Sequence, residues 1–172
     1  MMQMLEAGGM PVLTDGIRAA DEDNPRGYFE FEPVKRTKRD SSWVRGAQGK
    51  AVKMVYALLR DLPPDFEYRV ILMRRDLGEV VRSQREMLER TGRTGADVGD
   101  ARMAAIFEEE LRSIGEWLAG QANFRVLEVN HRACLGAAEA VAAWVNGFVG
   151  GGLDEGRMAG AVDLGLYRRS AG

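Results

Sequence analysis

The sequence predicts an α/β fold in three layers, a parallel sheet flanked by helices on both faces. Three observations carry this expectation. Short apolar runs at Val70–Met73 and Phe124–Val129 read as buried strands, and the segments that follow carry apolar residues at helical spacing. Strands alternating with helices argue parallel pairing with crossover helices on the faces. A chain of 172 residues, 45% of them apolar, can bury one sizeable core, so a single domain over 1–172 is expected without disulfide or metal.

The elements follow in order. Met1–Ala7 sets Met1, Met4 and Leu5 on one helical face, and Gly8-Gly9 supplies a C-terminal stop. No Ser, Thr, Asp or Asn precedes this helix to cap its free N–H groups, as expected where an upstream strand and loop have been cut away. An internal start Met or a fragment boundary is the corresponding expectation. Pro11–Arg26 alternates turn formers with charge, and Asp23-Asn-Pro-Arg-Gly27 is expected as a loop. Helix is expected to resume near Glu32–Arg39. The β-branched run Ala51-Val-Lys-Met-Val-Tyr56 reads as a buried strand, closed after a short turn by Leu62-Pro-Pro-Asp65.

Tyr68–Met73 is the next predicted strand. Asp76 is placed to cap a helix over Asp76–Arg90, in which Val80, Val81, Gln84, Met87 and Leu88 recur at helical intervals. Thr91–Ala96 reads as a loop of small and basic residues. Asp100–Ala119 is expected as a long amphipathic helix carrying Met103, Ile106, Leu111, Ile114 and Leu118. Phe124–Val129 is a strand, Ala137–Phe148 a helix over it, and Gly150-Gly-Gly152 separates a short last helix from a basic tail.

With 24 basic and 26 acidic residues interspersed, the formal charge is −2, so no long-range field gathers nucleic acid or anionic lipid. Cys134 stands alone and cannot form an internal disulfide. No run approaches the ~20 apolar residues of a membrane span, and no cationic stretch precedes an apolar run at the N-terminus. The expectation is a cytoplasmic protein with neither a nucleic-acid nor a membrane partner.

The stretch from Tyr68 to Ser83 sets cations where a strand ends and a hydroxyl about two helical turns later. Beyond the carboxyl ends of parallel strands, helix N-termini present free N–H groups and a favourable dipole to phosphate. Arg75 fits an ordinary strand-end ion pair or a phosphate ligand gripping two oxygens at once. Ser83 fits a phosphate contact or a helix serine bonded to the carbonyl one turn back. Lys53 interrupts an apolar run; it fits a cation facing an anionic group or a lysine reaching from an edge strand to solvent.

The eight positions from Arg75 to Ser83, with Asp76 and the apolar helix face between, resemble the element with which sulfotransferases hold the 3′-phosphate of the sulfate donor PAPS (3′-phosphoadenosine 5′-phosphosulfate). In that family a strand ends in Arg-Asp-Pro and a Ser follows on the next helix; here Leu77 replaces the Pro. Met1–Met10 followed by Asp21–Glu30 is similar to the N-terminal region of bacterial sulfotransferase-like proteins. There the first helix follows a phosphate loop of the form Arg-Ser-Gly-Thr-Ser, and that loop is not in this sequence. Gly136–Gly150 and Leu153–Tyr167 also fit, so the resemblance spans most of the chain.

The resemblance implies a P-loop NTPase-like fold, N-terminally incomplete, that transfers a sulfuryl group from PAPS to a hydroxyl or amine on an unspecified small-molecule or polymer acceptor, with no metal. It gives Arg75 and Ser83 the 3′-phosphate. It gives Lys53 the transferred group, where a fixed cation lowers the barrier by stabilising charge on the sulfonate and bridging oxygens. With the phosphosulfate loop absent, poor donor binding is implied, and activity of this truncated chain stays open.

The family's catalytic His, two places after such a lysine, is Val55 here, so another base is needed. Glu30 and Glu22 qualify by position, against the alternative of solvated loop carboxylates. His131 and Cys134, three apart, fit a thiol with its base or a packed pair without chemistry. Gly46-Ala-Gln-Gly-Lys-Ala51 imitates a Walker loop, but its glycines are too close and Ala51 stands where a magnesium-binding Ser or Thr belongs, so a turn is expected. No His, Cys and carboxylate cluster has metal-ligand spacing. The rival readings are an ATP-dependent kinase-like P-loop protein and a non-catalytic nucleotide-binding remnant.

Overall fold

The computed structural model describes residues 1–18, 20, 27–90, 99–163 and 165. At its centre lies a two-stranded parallel sheet of β1 (Tyr68–Arg74) and β2 (Phe124–Asn130), in register from Tyr68 opposite Phe124 to Arg74 opposite Asn130. Among the described residues six α-helices accompany it: α1 (Met2–Ala7), α2 (Leu77–Arg90), α3 (Asp100–Ala119), α4 (His131–Gly136), α5 (Ala138–Val149) and α6 (Glu155–Gly160). Parallel neighbours need a long connection, which α2 and α3 supply.

Successive strand side chains alternate between faces, so the small sheet serves two cores. Ile71, Met73, Leu127 and Val129 pack toward α5, whose buried Val141, Ala142 and Val145 share a cluster with Met4 and Leu5 of α1, Cys134 of α4 and Met158 of α6. Val70 and Phe124 face the other way, onto Ile114 and Leu118 of α3 and onto Leu59. Tyr68 stacks on Phe124 at 4.7 Å, and Trp117 meets Phe124 edge-on at 5.3 Å. The architecture is therefore mixed α/β with helices on both faces of the sheet.

Two expectations are corrected. The helix predicted near Glu32–Arg39 is a 3-10 turn over Glu32–Arg36. The Thr37 hydroxyl donates to the Val34 carbonyl at 2.6 Å, a local bond that competes with helix propagation. The strand predicted over Ala51–Tyr56 is not formed. Ala51 makes an isolated parallel bridge with Val12, residues 52–55 run on without a ladder, and Tyr56–Asp61 coils into a 3-10 helix. A β-branched run becomes a strand only where a neighbour offers backbone groups to pair with, and the residue pattern does not contain that neighbour. The 3-10 helix is instead fixed to α3, where Glu110 accepts from the Tyr56 phenol and Ser113 from Arg60.

The Gly46–Ala51 segment turns as expected, with Gly49 at φ +71°. The predicted loop at Thr91–Ala96 and the end of the basic tail lie outside the described residues, as does all of Asp23–Gly27 except Gly27. Among the described residues no helix is long and apolar enough to cross a membrane.

The glycine run after α5 has a clear conformational purpose. Gly150, Gly151 and Gly152 sit at φ +111°, +83° and +88°, which side-chain-bearing residues avoid. The Arg69 guanidinium donates to the Val149 carbonyl beside this turn, and a Cβ on Gly150 would lie 2.7 Å from its Nη1. Gly150→Ala is expected to lower the unfolding free energy by about 1–2 kcal/mol in urea denaturation. Gly151→Ala, equally twisted but uncrowded, is expected to lose less.

Candidate functional site

The strands end side by side, and each passes almost directly into a helix. After β1 only Arg75 and Asp76 intervene, and Asp76 Oδ1 accepts from the Glu79 backbone N–H at 3.0 Å, capping α2 as expected. After β2 nothing intervenes: Asn130 is the last strand residue and also caps α4, accepting from the Arg132 backbone N–H at 2.8 Å. Glu79, buried in the first turn of α2, accepts from the Arg132 guanidinium at 2.7 Å and ties the two helix starts together.

Arg75 stands exposed at this edge, and among the described residues no hydrogen bond or ion pair engages its side chain. The strand-end ion pair falls to its neighbour, with Arg74 Nε 3.8 Å from Glu128. Ser83 is exposed on α2, and its hydroxyl makes no hydrogen bond among the described residues, so the bond one turn back is not made. Arg75 lines a cavity of about 1140 Å³ that also meets residues 66–73 and 47–56. Lys53 lines the same cavity; Ser83 is not part of its lining.

Lys53 is held by a neighbouring loop. Its Nζ donates to the Tyr28 carbonyl at 2.9 Å and lies 5.8 Å from the Tyr28 ring, while the Arg18 guanidinium covers that ring at 3.4 Å. Partial desolvation lowers the Lys53 pKa; Glu30 opposes this and Arg18 adds to it. Glu30 is itself ion-paired to Arg18 at 3.1 Å and Lys35 at 3.5 Å, so this candidate base sits among cations. Glu22, the other candidate base, lies outside the described residues. Beside Tyr28, Phe29 takes φ +51°, a strained backbone for an aromatic residue. The alternation of turn formers gives no hint of this aromatic–cation cluster; among the described residues Gly27, at φ +85°, marks a sharp reversal beside it.

His131 opens α4 close to Arg75. Burial lowers the imidazole pKa and the Arg75 guanidinium lowers it further, against Glu79, which raises it. Burial pushes the Cys134 thiol up. A thiolate with an imidazolium partner needs both shifts reversed, so neither shift favours that ion pair. Among the described residues no three His, Cys, Asp or Glu side chains come together to hold a metal. No family model, curated protein or solved structure matches the chain, so the functional reading rests on these residues.

Folded His131 holds its proton less tightly than the unfolded chain, so unfolding takes up a proton as pH falls through about 6.5, the ordinary histidine value. Stability is therefore expected to decline on acidification from about pH 7.5 to about pH 5.5, above most carboxylate titration. His131 is the single histidine in the sequence, so the slope of urea midpoints across that range should be reduced in His131→Gln, leaving the share of the Met1 amine, whose pKa burial also lowers.

Proposed function

We propose that the chain is a sulfotransferase-like domain of P-loop NTPase-like architecture that binds the 3′-phosphate of PAPS at the carboxyl edge of β1. The observation that carries this reading is the Arg75 guanidinium, unengaged among the described residues, between a strand end and a capped helix start. A planar guanidinium in that position can offer two parallel N–H donors to one phosphate group. The Ser83 hydroxyl on the following helix, unbonded among the described residues, supports it, as does the parallel pairing of β1 and β2 through a helical crossover. Of the acids at this edge, Glu79 is ion-paired to Arg132 and Glu128 to Arg74, while Asp76 accepts the Glu79 backbone N–H.

The reaction implied moves a sulfuryl group from PAPS to a hydroxyl or amine, leaving adenosine 3′,5′-bisphosphate. Lys53 can stabilise the transferred group when its ammonium exchanges the Tyr28 carbonyl for a sulfonate oxygen. These 172 residues contain no Arg-Ser-Gly-Thr-Ser loop, so they supply contacts to the 3′-phosphate and none of that type to the phosphosulfate.

Isothermal titration with adenosine 3′,5′-bisphosphate tests the assignment. Arg75→Ala is expected to weaken binding roughly tenfold or more, the worth of a charge-assisted hydrogen bond of about 1.5 kcal/mol or above. Ser83→Ala is expected to weaken it a few-fold. Adenosine 5′-monophosphate, which lacks the 3′-phosphate, should bind both proteins alike. Magnesium-dependent ATP binding with no affinity for the bisphosphate would sink the reading in favour of the kinase-like one.

A further inference from the structure

We propose that His131 is the inducible second cation of the Arg75 site: it takes a proton from solvent when a phosphate dianion binds there, so that anion binding and protonation of this ring reinforce each other. The inference rests on the reading of Arg75 as the 3′-phosphate ligand and adds the group that completes its charge balance. The strand register sets the two residues side by side. Arg74 stands opposite Asn130 in the last pair, so Arg75 and His131 occupy the next position along two strands about 4.8 Å apart. Both junctions are fixed, by the Asp76 cap on α2, the Asn130 cap on α4 and the Glu79–Arg132 ion pair between them. His131 is thereby held at the edge where the anion docks.

Charge arithmetic gives the ring its task. A phosphate monoester carries about −1.5 to −2 charges at pH 7, and one guanidinium offsets only the first of them. Of the neighbouring cations, Arg132 is committed to Glu79 and Arg74 to Glu128. An imidazole is the side chain that can add a positive charge near neutral pH. Without an anion that charge is disfavoured, because His131 is half-buried and its Nδ1 is shielded from water. After burial, the charges acting on the ring are Arg75 and the Met1 amine, which lower its pKa, and Glu79, which raises it. On the elements packed against α4, Glu128 of β2 pairs with Arg74, while Arg125 of β2 and Glu139 of α5 are exposed. A phosphate on Arg75 cancels the repulsion from the guanidinium and attracts the imidazolium. By linkage, protonation then favours binding by the same factor. One fixed and one inducible cation hold a dianion without the cost of two adjacent like charges beforehand.

His131 is the single histidine of the 172-residue chain, so its imidazole proton resonance reports one titration. Saturating adenosine 3′,5′-bisphosphate is expected to raise the midpoint of that titration, the protonated form binding about fivefold or more tighter than the neutral one. Adenosine 5′-monophosphate should leave the midpoint in place. In the protein without nucleotide, Arg75→Gln should raise it, which tests the coupling of the two side chains independently of any ligand. Acidification from about pH 8 to about pH 6 also removes charge from the phosphate, so affinities are compared between wild type and His131→Gln. The variant should lose about threefold or more additional affinity over that range. The Met1 amine is present in both proteins and cancels. Bisphosphate binding with an unmoved or lowered midpoint overturns the proposal and leaves the phosphate site standing. An equal rise with the monophosphate, or an unmoved midpoint in Arg75→Gln, overturns it as well. Absence of bisphosphate binding at either pH removes the phosphate site itself, and the proposal with it.

Discussion

Side-by-side pairing of β1 and β2 over seven register positions decides where everything else can stand. Parallel strands cannot be joined by a tight turn, so the intervening chain must leave the carboxyl end of β1, cross a face and return to the amino end of β2. That path builds the α2–α3 crossover and packs α3 on the face carrying Val70 and Phe124. The opposite face is then left to the elements after β2, and α5 takes it with α6 and α1 against it. Because the strands run the same way, both carboxyl ends open at one edge, and the polar residues following each strand are brought into one neighbourhood.

Chemical potential concentrates at that edge through local economy. Asp76 and Asn130 spend their side chains on helix caps, Glu79 and Arg132 neutralise one another, and Arg74 turns to Glu128. Among the described residues Arg75 is left over, and its charge adds to the burial that lowers the His131 imidazole pKa. Lys53 belongs to a different neighbourhood, dominated by Tyr28, Arg18 and Glu30, although it shares the cavity with Arg75. A cation exposed at a sheet edge and one held by a backbone carbonyl differ in readiness: the first can accept an anion at once, the second must first give up a partner.

Much of this was legible in the residues. β1, β2, α2, α3 and α5 each carry a long or sharply bounded apolar period, and their observed limits lie within about a residue of the expected ones. Asp76 was readable as a cap because helix starts need an acceptor beside free N–H groups. What escaped depended on partners distant in sequence. Ala51–Tyr56 has the composition of a strand but lacks a ladder beyond Ala51, and the Glu79–Arg132 ion pair links residues no periodicity relates. Lys53 bonds to the Tyr28 carbonyl, next to a left-handed backbone at Phe29 that no aromatic residue advertises.

Asn130 serves as the end of one element and the beginning of another, leaving no slack between pleat and helix. Each residue advances an α-helix by about 100°, so a single insertion at that junction would swing α4 by more than a quarter-turn. Cys134 would leave the apolar cluster, and Arg132 would no longer meet Glu79. Any descendant or ancestor that keeps this architecture must therefore preserve the spacing from β2 to α4, while the identity of an exposed residue such as Arg125 is free to drift. The joint works as a length gauge.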